Sequence, residues 1–170
     1  MPFELVTHTL EPVYDEHSRM LILGTMPSPA SRKAGFYYAH PQNRFWEVIS
    51  AVFREPIPFS TETKRDLVLR HGIALWDVLA SCRIDGADDA SIRDPEANDF
   101  SALLASCPIT RIFTTGEQAY KLYQKLCRKQ TGIEAVKLPS TSPANRGRWP
   151  LKALIDAYAV LNNSDAHAGG

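Results

Sequence analysis

The chain has 170 residues, 44% of them apolar and 22% charged, which suits one folded domain with a real core, expected over residues 1–161. Its formal net charge is zero, which excludes a globally polybasic nucleic-acid binder; any contact with phosphate must come from a local patch. No apolar run approaches the ~20 residues of a membrane span, and MPFELVTHTLEP carries no signal-peptide pattern. A cytoplasmic protein without membrane association is expected.

In chain order, Arg19–Gly24 is an apolar run that predicts a first, buried strand. A helix is predicted over Gln42–Arg54, with Phe45, Ile49, Val52 and Phe53 on one side, ended by Pro56 and Pro58. Ser60 and Thr61 offer N-cap hydroxyls for the next helix, which runs to His71 and closes at Gly72. A second strand is predicted over Ile73–Leu79, interrupted by Asp77, and the polar stretch Arg83–Asp99 reads as a loop. A short helix over Phe100–Ser106 leads to a third strand, Arg111–Thr114, and Gly116 opens a further helix through Leu126. Ala135–Leu138 is the fourth strand, Trp149–Leu161 the last helix, and residues 162–170 a frayed tail.

Strands alternating with helices predict an α/β protein, a three-layer α/β/α sandwich around a central four-stranded parallel sheet. Ligands of such sheets bind beyond the carboxyl ends of the strands. The unusual residues after each strand, Gly24–Ser28, Asp77, Thr114-Thr115-Gly116 and Ser140–Asn145, all fall at that rim. Cys82, Cys107 and Cys127 are widely spaced, and the five histidines lack an i, i+4 pair or HExxH spacing, so neither a metal nor an iron–sulfur cluster is expected. The cysteines read as reduced, buried thiols.

Between the first strand and the first long helix runs GTMPSPASRKAGFYYAHPQNRFWEVI, Gly24–Ile49. Its small-residue turn can bring backbone amides to a polar or anionic ligand, its tyrosines offer flat faces for a base, and Asn43 carries a donor and an acceptor on one neutral head. This stretch resembles the first motif of the uracil-DNA glycosylase superfamily. HPQNRFW is similar to the mismatch-specific branch, while GFYY together with Ser140-Thr141-Ser142-Pro143-Ala144-Asn145 resembles the hypoxanthine (deoxyinosine) branch. The resemblance covers roughly Leu21 to Trp149. It implies the sandwich fold, a flipped nucleotide held in a pocket, a monofunctional, cofactor-free glycosylase for deaminated bases, and a monomer acting on damaged DNA.

The resemblance also distributes roles. Met26 stands where uracil enzymes carry an aspartate and the mismatch branch an asparagine, so the catalytic amide is implied to be Asn43. Read by itself, Asn43 could instead cap the helix that begins there, or touch the base without catalysis. Base contacts are implied for Gly24, Thr25, Met26, Pro27 and Thr115. Tyr38 would stack on the base, and Tyr37 would face the core, since neighbours on an extended segment point opposite ways. Asp77 stands where uracil enzymes pair an asparagine with the base edge; pairing with loop amides or an arginine is the alternative. Ser140 replaces the histidine that stabilises departing uracil, and no leucine follows Pro143 to fill the vacated stack. Ser140 and Ser142 are the fallback catalytic groups. DNA contacts are expected from Ser28, Arg44, Ser142, Pro143, Ala144, Asn145, Arg146 and Arg148, with Arg32 and Lys33 adding charge. Uracil or mispaired-base excision remains the neighbouring reading, and a non-catalytic nucleotide- or DNA-binding module the reading from another class.

Overall fold

The structure is a computed structural model that describes residues 3–86 and 88–162. Of the expected tail, only Asn162 falls within these residues.

Four parallel strands form the central sheet: β2 (Met20–Gly24), β3 (Ile73–Asp77), β6 (Arg111–Thr115) and β7 (Ala135–Leu138), in the order β3-β2-β6-β7. Register pairs Gly24 with Asp77 on one side, and Leu23 with Thr114 on the other. Alternation builds two cores from one strand, because successive side chains face opposite ways. Met20 and Ile22 join the core with α2 (Phe45–Phe53) and α7 (Leu151–Tyr158). Leu21 and Leu23 join the other, with Leu103 of α4 (Ser101–Ser106) and Ala119, Leu122 and Tyr123 of α5 (Glu117–Leu126). The expected sandwich is therefore the observed architecture. The remaining helices are α1 (Pro29–Ala34), α3 (Thr61–Arg70) and α6 (Arg128–Thr131).

Helix ends follow local chemistry. Ser60 caps α3 in a reciprocal box: its hydroxyl accepts from the Thr63 amide at 3.1 Å, and the Thr63 hydroxyl accepts from the Ser60 amide at 2.9 Å. The helix predicted from Gln42 begins only at Phe45, because residues before it are turned by the Asn43 amide donating to the His40 carbonyl. The last helix begins at Leu151 rather than Trp149, since Pro150 occupies its N-cap in an extended conformation.

One expectation is overturned. Arg83–Asp99 is not a loop but most of a second sheet, order β1-β4-β5, built from β1 (Glu4–Thr7), β4 (Leu79–Asp85) and β5 (Asp88–Ala97). The second strand ends at Asp77, and the chain crosses at Val78, whose amide donates to the Gly24 carbonyl. It then continues as β4, antiparallel to β1. Val6, Leu79, Cys82 and Ile84 bury this small sheet against the second core.

Candidate active site

Sequential strands diverge between β2 and β6, so a crevice opens beyond their carboxyl ends. A cavity of about 520 Å³ lies there, within the usual range for small-ligand pockets. The turn Gly24–Ser28 lines one wall, and Asp77, Thr115 and Tyr38 join it from the neighbouring strand ends and the first loop. Asn43 approaches from the start of α2, and Ser140, Ser142, Pro143 and Ala144 from the segment after β7. The structure thus brings most of the residues expected at one rim to one pocket. It leaves Arg44, Thr114, Gly116, Asn145, Arg146 and Arg148 outside the lining.

The floor is Gly24. A Cβ there would sit 2.6 Å from Asp77 Oδ1, 3.4 Å from the Tyr38 hydroxyl and 3.6 Å from Thr115 Oγ1. Three polar groups from three elements therefore converge on one point that only glycine leaves open. Among the described residues Asp77 pairs neither with loop amides nor with an arginine. Its Oδ2 lies 2.8 Å from Nε2 of His8, with side chains 5% and 3% exposed respectively. His8 comes from the residue after β1, whose amide donates to the Ala80 carbonyl.

Tyr37 is buried, and its hydroxyl donates to the Glu11 carbonyl at 2.8 Å, as a core-facing residue should. Tyr38 adopts φ 54°, a left-handed conformation that a tyrosine enters only under constraint. Its ring stacks on Phe45 with centroids 3.8 Å apart and planes 12° apart, so one of its faces is already covered. Its buried hydroxyl has no hydrogen-bond partner among the described residues. Burial, then the charge of Asp77, raises its pKa well above that of free tyrosine. The Thr115 hydroxyl opposes that shift but donates to the Leu23 carbonyl at 3.4 Å. Tyr38 is thus held as a neutral donor.

Asn43 stands one residue before Arg44, the N-cap of α2, and lines the pocket. Its Oδ1 accepts from the Phe45 amide at 2.8 Å and from the Thr141 hydroxyl at 2.8 Å. These two donors fix the amide's rotation, because only the oxygen can accept them. The NH₂ group is left as the end available to the cavity. Thr141 is buried, and its carbonyl accepts the Arg44 amide at 3.1 Å, which ties the first loop to the last.

Ser140 accepts from the Ser142 amide at 3.1 Å, and the Asn145 side chain donates to the Ser140 carbonyl at 2.8 Å, so Asn145 serves the loop itself. Gly116, at φ 96°, lets this loop approach: a Cβ there would lie 3.2 Å from Ser140 Cβ. Ser28 caps α1, accepting from the Ser31 amide at 3.1 Å. Arg44 is 5% exposed, and its guanidinium donates to the Trp149 carbonyl at 2.7 Å, which removes it from the surface. Ala144, Arg146 and Arg148 are exposed, and Arg146 reaches the Gln42 carbonyl at 3.3 Å.

Three contributors escaped the sequence reading. Thr141 lay inside the noted STSPAN run, flanked by the serines chosen instead. His8 had no local signal, since its partner is 69 residues away. The hairpin of β4 and β5 brings Ile84, Gly86 and Asp89 to the pocket mouth. Although Asp89 as a residue is exposed, its carboxyl is crowded at that mouth, which, with Asp77 and Asp88 nearby and a Thr25 hydrogen bond opposing, raises its pKa to about 6. Among the described residues no cluster of three or more His, Cys, Asp or Glu is poised to hold a metal ion, and no helix is long and apolar enough to cross a membrane.

The fold is a parallel α/β/α sandwich with a cavity at its switch point, mostly apolar in its lining and with Asp77, Tyr38, Thr115 and Asn43 as polar groups in it. The profile of the Uracil DNA glycosylase superfamily matches residues 11–162. The chain belongs to that superfamily. It is 36% identical over 135 residues to a Hypoxanthine DNA glycosylase of Methanosarcina acetivorans, covering 79% of this chain and 85% of that protein. Against a Hypoxanthine DNA glycosylase of Methanosarcina barkeri it is 32% identical over 136 residues, with the same coverage. A solution NMR structure from Methanosarcina acetivorans, provisionally assigned as a uracil DNA glycosylase, superposes with a TM-score of 0.78 at 30% identity, covering 94% of this chain and 99% of that one.

Proposed function

We propose that this protein is a monofunctional DNA glycosylase that hydrolyses the N-glycosidic bond of deoxyinosine and releases hypoxanthine. The observation that carries the reading is the rigidly held Asn43 amide lining a pocket that also presents a buried carboxylate acceptor, Asp77. The names of the two Methanosarcina relatives support the same substrate.

The glycosidic bond is out of reach in the stack, so the nucleotide flips into the cavity. As the C1′–N9 bond breaks, its electron pair leaves with the base and positive charge grows on the sugar. Water adds to C1′ and loses a proton to solvent, and the departing hypoxanthine anion takes up a proton. An amide has no useful basicity at neutral pH, so Asn43 orients groups rather than accepting a proton. Its free NH₂ holds the water through the water's oxygen. Asp77 accepts N1–H of hypoxanthine, where adenine offers only a lone pair, and an unpaired buried group penalises the wrong base. Arg146 and Arg148, with Arg32 and Lys33, supply local positive charge on a chain whose net charge is zero. The enzyme acts as a cytoplasmic monomer folded as a single domain over residues 1–161.

The test is incubation with duplexes containing inosine, uracil or a G·T mispair, followed by alkali. Nicking of the inosine strand above the others is expected. Preferential nicking at uracil or G·T would make the neighbouring branch correct, and binding without nicking would make the protein a non-catalytic module, the reading that the departures at Met26 and Ser140 leave open.

A further inference from the structure

The carboxylate at the pocket floor has two oxygens, and the structure treats them differently. Oδ2 is engaged by His8 Nε2 at 2.8 Å in a nearly solvent-free contact, while Oδ1 faces the Cα of Gly24. His8 does not line the cavity; it stands behind Asp77, its ring 6.3 Å from those of both Tyr37 and Trp76. It also precedes residue 11, where the family match begins.

A carboxyl in a buried pocket can take a proton on either oxygen, and the choice decides what a base would meet. A proton on Oδ1 would make a donor, complementary to adenine N1. A proton on Oδ2 is shared with His8 and leaves Oδ1 an acceptor, whichever partner formally holds it. His8 therefore removes the ambiguity. The Tyr38 hydroxyl lies within 3.4 Å of the same point above Gly24 and is a buried donor with no partner among the described residues. An acceptor and a donor side by side match a base edge that presents N–H next to C=O.

We propose that His8 is a positioning residue for specificity: by engaging Oδ2 of Asp77 it fixes Oδ1 as an acceptor, and with the Tyr38 hydroxyl this makes the pocket floor a reader of the lactam edge. Deamination writes that edge. It turns the amino-and-lone-pair edge of adenine into N1–H beside O6, and the corresponding edge of cytosine into N3–H beside O4. The substrate class read by the floor is thus the deaminated base, and the cavity walls, not His8, separate purine from pyrimidine. The inference rests on Asp77 as the base reader in the proposed function, but it concerns recognition and not bond cleavage.

The experiment measures binding of free hypoxanthine and free adenine to the whole protein by NMR titration, beside inosine excision by the same samples. The wild type should prefer hypoxanthine by roughly 10- to 100-fold, the scale for a site whose polar groups are left unpaired by the wrong ligand. His8→Phe keeps a ring between Tyr37 and Trp76 but loses the donor, and the preference should fall toward parity. His8→Gln restores a donor and should restore most of it. Asp77→Asn is the second variant: His8 then holds the amide oxygen, the NH₂ faces the base, and the preference should shift toward adenine. Retention of the preference in His8→Phe, its loss in His8→Gln but not His8→Phe, or no hypoxanthine preference in the wild type would each overturn the proposal. Should His8→Phe fail to fold, Asp77→Asn decides alone: an unchanged preference overturns it. A wild type that prefers hypoxanthine but excises no inosine would leave this inference standing and remove the glycosylase reading.

Discussion

The segment Gly24–Trp46 and the hairpin Leu79–Ala97 both line the same cavity, yet they announce themselves very differently. The first is dense in residues with distinctive chemistry: a glycine on which three side chains converge, two adjacent tyrosines, and an asparagine whose oxygen is fixed by two donors. The second is a charged ribbon. β5 is an edge strand with mostly exposed side chains, Pro95 within it and Asp94 at φ 51°, and its pairing with β4 shifts register repeatedly. Charge, proline and bulges are how edge strands avoid unwanted pairing. Those same devices erase the alternation from which a strand is read. The difference teaches that the face doing chemistry is written locally, whereas the face that encloses it is written in pairings across the chain.

The comparison can be broken most severely at Asn43. Asn43→Ala should lower the single-turnover rate of inosine excision by roughly 10²-fold or more, the scale for losing a transition-state positioning group. The same variant also loses the side-chain hydrogen bond to the Phe45 amide at the start of α2, about 1 kcal/mol of stability, so a thermal melt must accompany the kinetics. Near-normal cleavage by a destabilised protein would reduce Asn43 to its contact with Phe45 and direct the search to Ser140 and Ser142.

Gly24→Ala comes next. Its methyl would meet Asp77 Oδ1 at 2.6 Å, against a carboxylate already held by His8. Overpacking of this kind costs ~1–3 kcal/mol, and a lowered melting temperature with weakened excision is expected. A variant of unchanged stability and activity would show that the floor is not closed as described.

Arg146 and Arg148 test the exposed rim. Replacing both by Ala should weaken binding of inosine-containing and undamaged duplexes alike, and flatten the slope of log K against log salt by about one unit for each phosphate that is no longer neutralised. Altered base preference at unchanged affinity would contradict the phosphate role.

The smallest effect belongs to the hairpin. The carboxyl of Asp89 is raised from its ordinary 3.8 to about 6, so the folded state holds this proton more tightly than the unfolded chain. Its contribution to stability is therefore present below the unfolded value and lost as pH rises through about 6. Asp89→Asn should remove that decline, raising the melting temperature slightly at neutral pH and leaving it unchanged near pH 4. Duplex affinity above pH 6 should rise modestly, since an ionised carboxylate at the mouth repels phosphate. A melting temperature lowered at neutral pH would show Asp89 to be a favourable anion instead.

Much of the fold was legible because buried parallel strands are short apolar runs: Met20–Gly24, buried throughout, stands out by composition alone. The rim rule then placed Gly24, Asp77, Thr115 and Ser140 together without any coordinates. What stayed hidden depends on distance along the chain. His8 meets Asp77 across 69 residues and Thr141 meets Asn43 across 98, and neither carries a local pattern. Arg44 misled for a related reason. Its place in HPQNRFW suggested a basic contact to DNA, but its side chain is buried, with one guanidinium nitrogen donating to the Trp149 carbonyl.

The central claim is that this pocket releases hypoxanthine from DNA by hydrolysis alone. The measurement that meets it most directly is mass-spectrometric identification of the base freed from an inosine-containing duplex under single-turnover conditions, with the strand run on a denaturing gel before any alkali. Free hypoxanthine, in step with an uncleaved strand carrying an abasic site, is the predicted result. An inosine strand that stays intact and keeps its base, or one cut without alkali, would contradict the account.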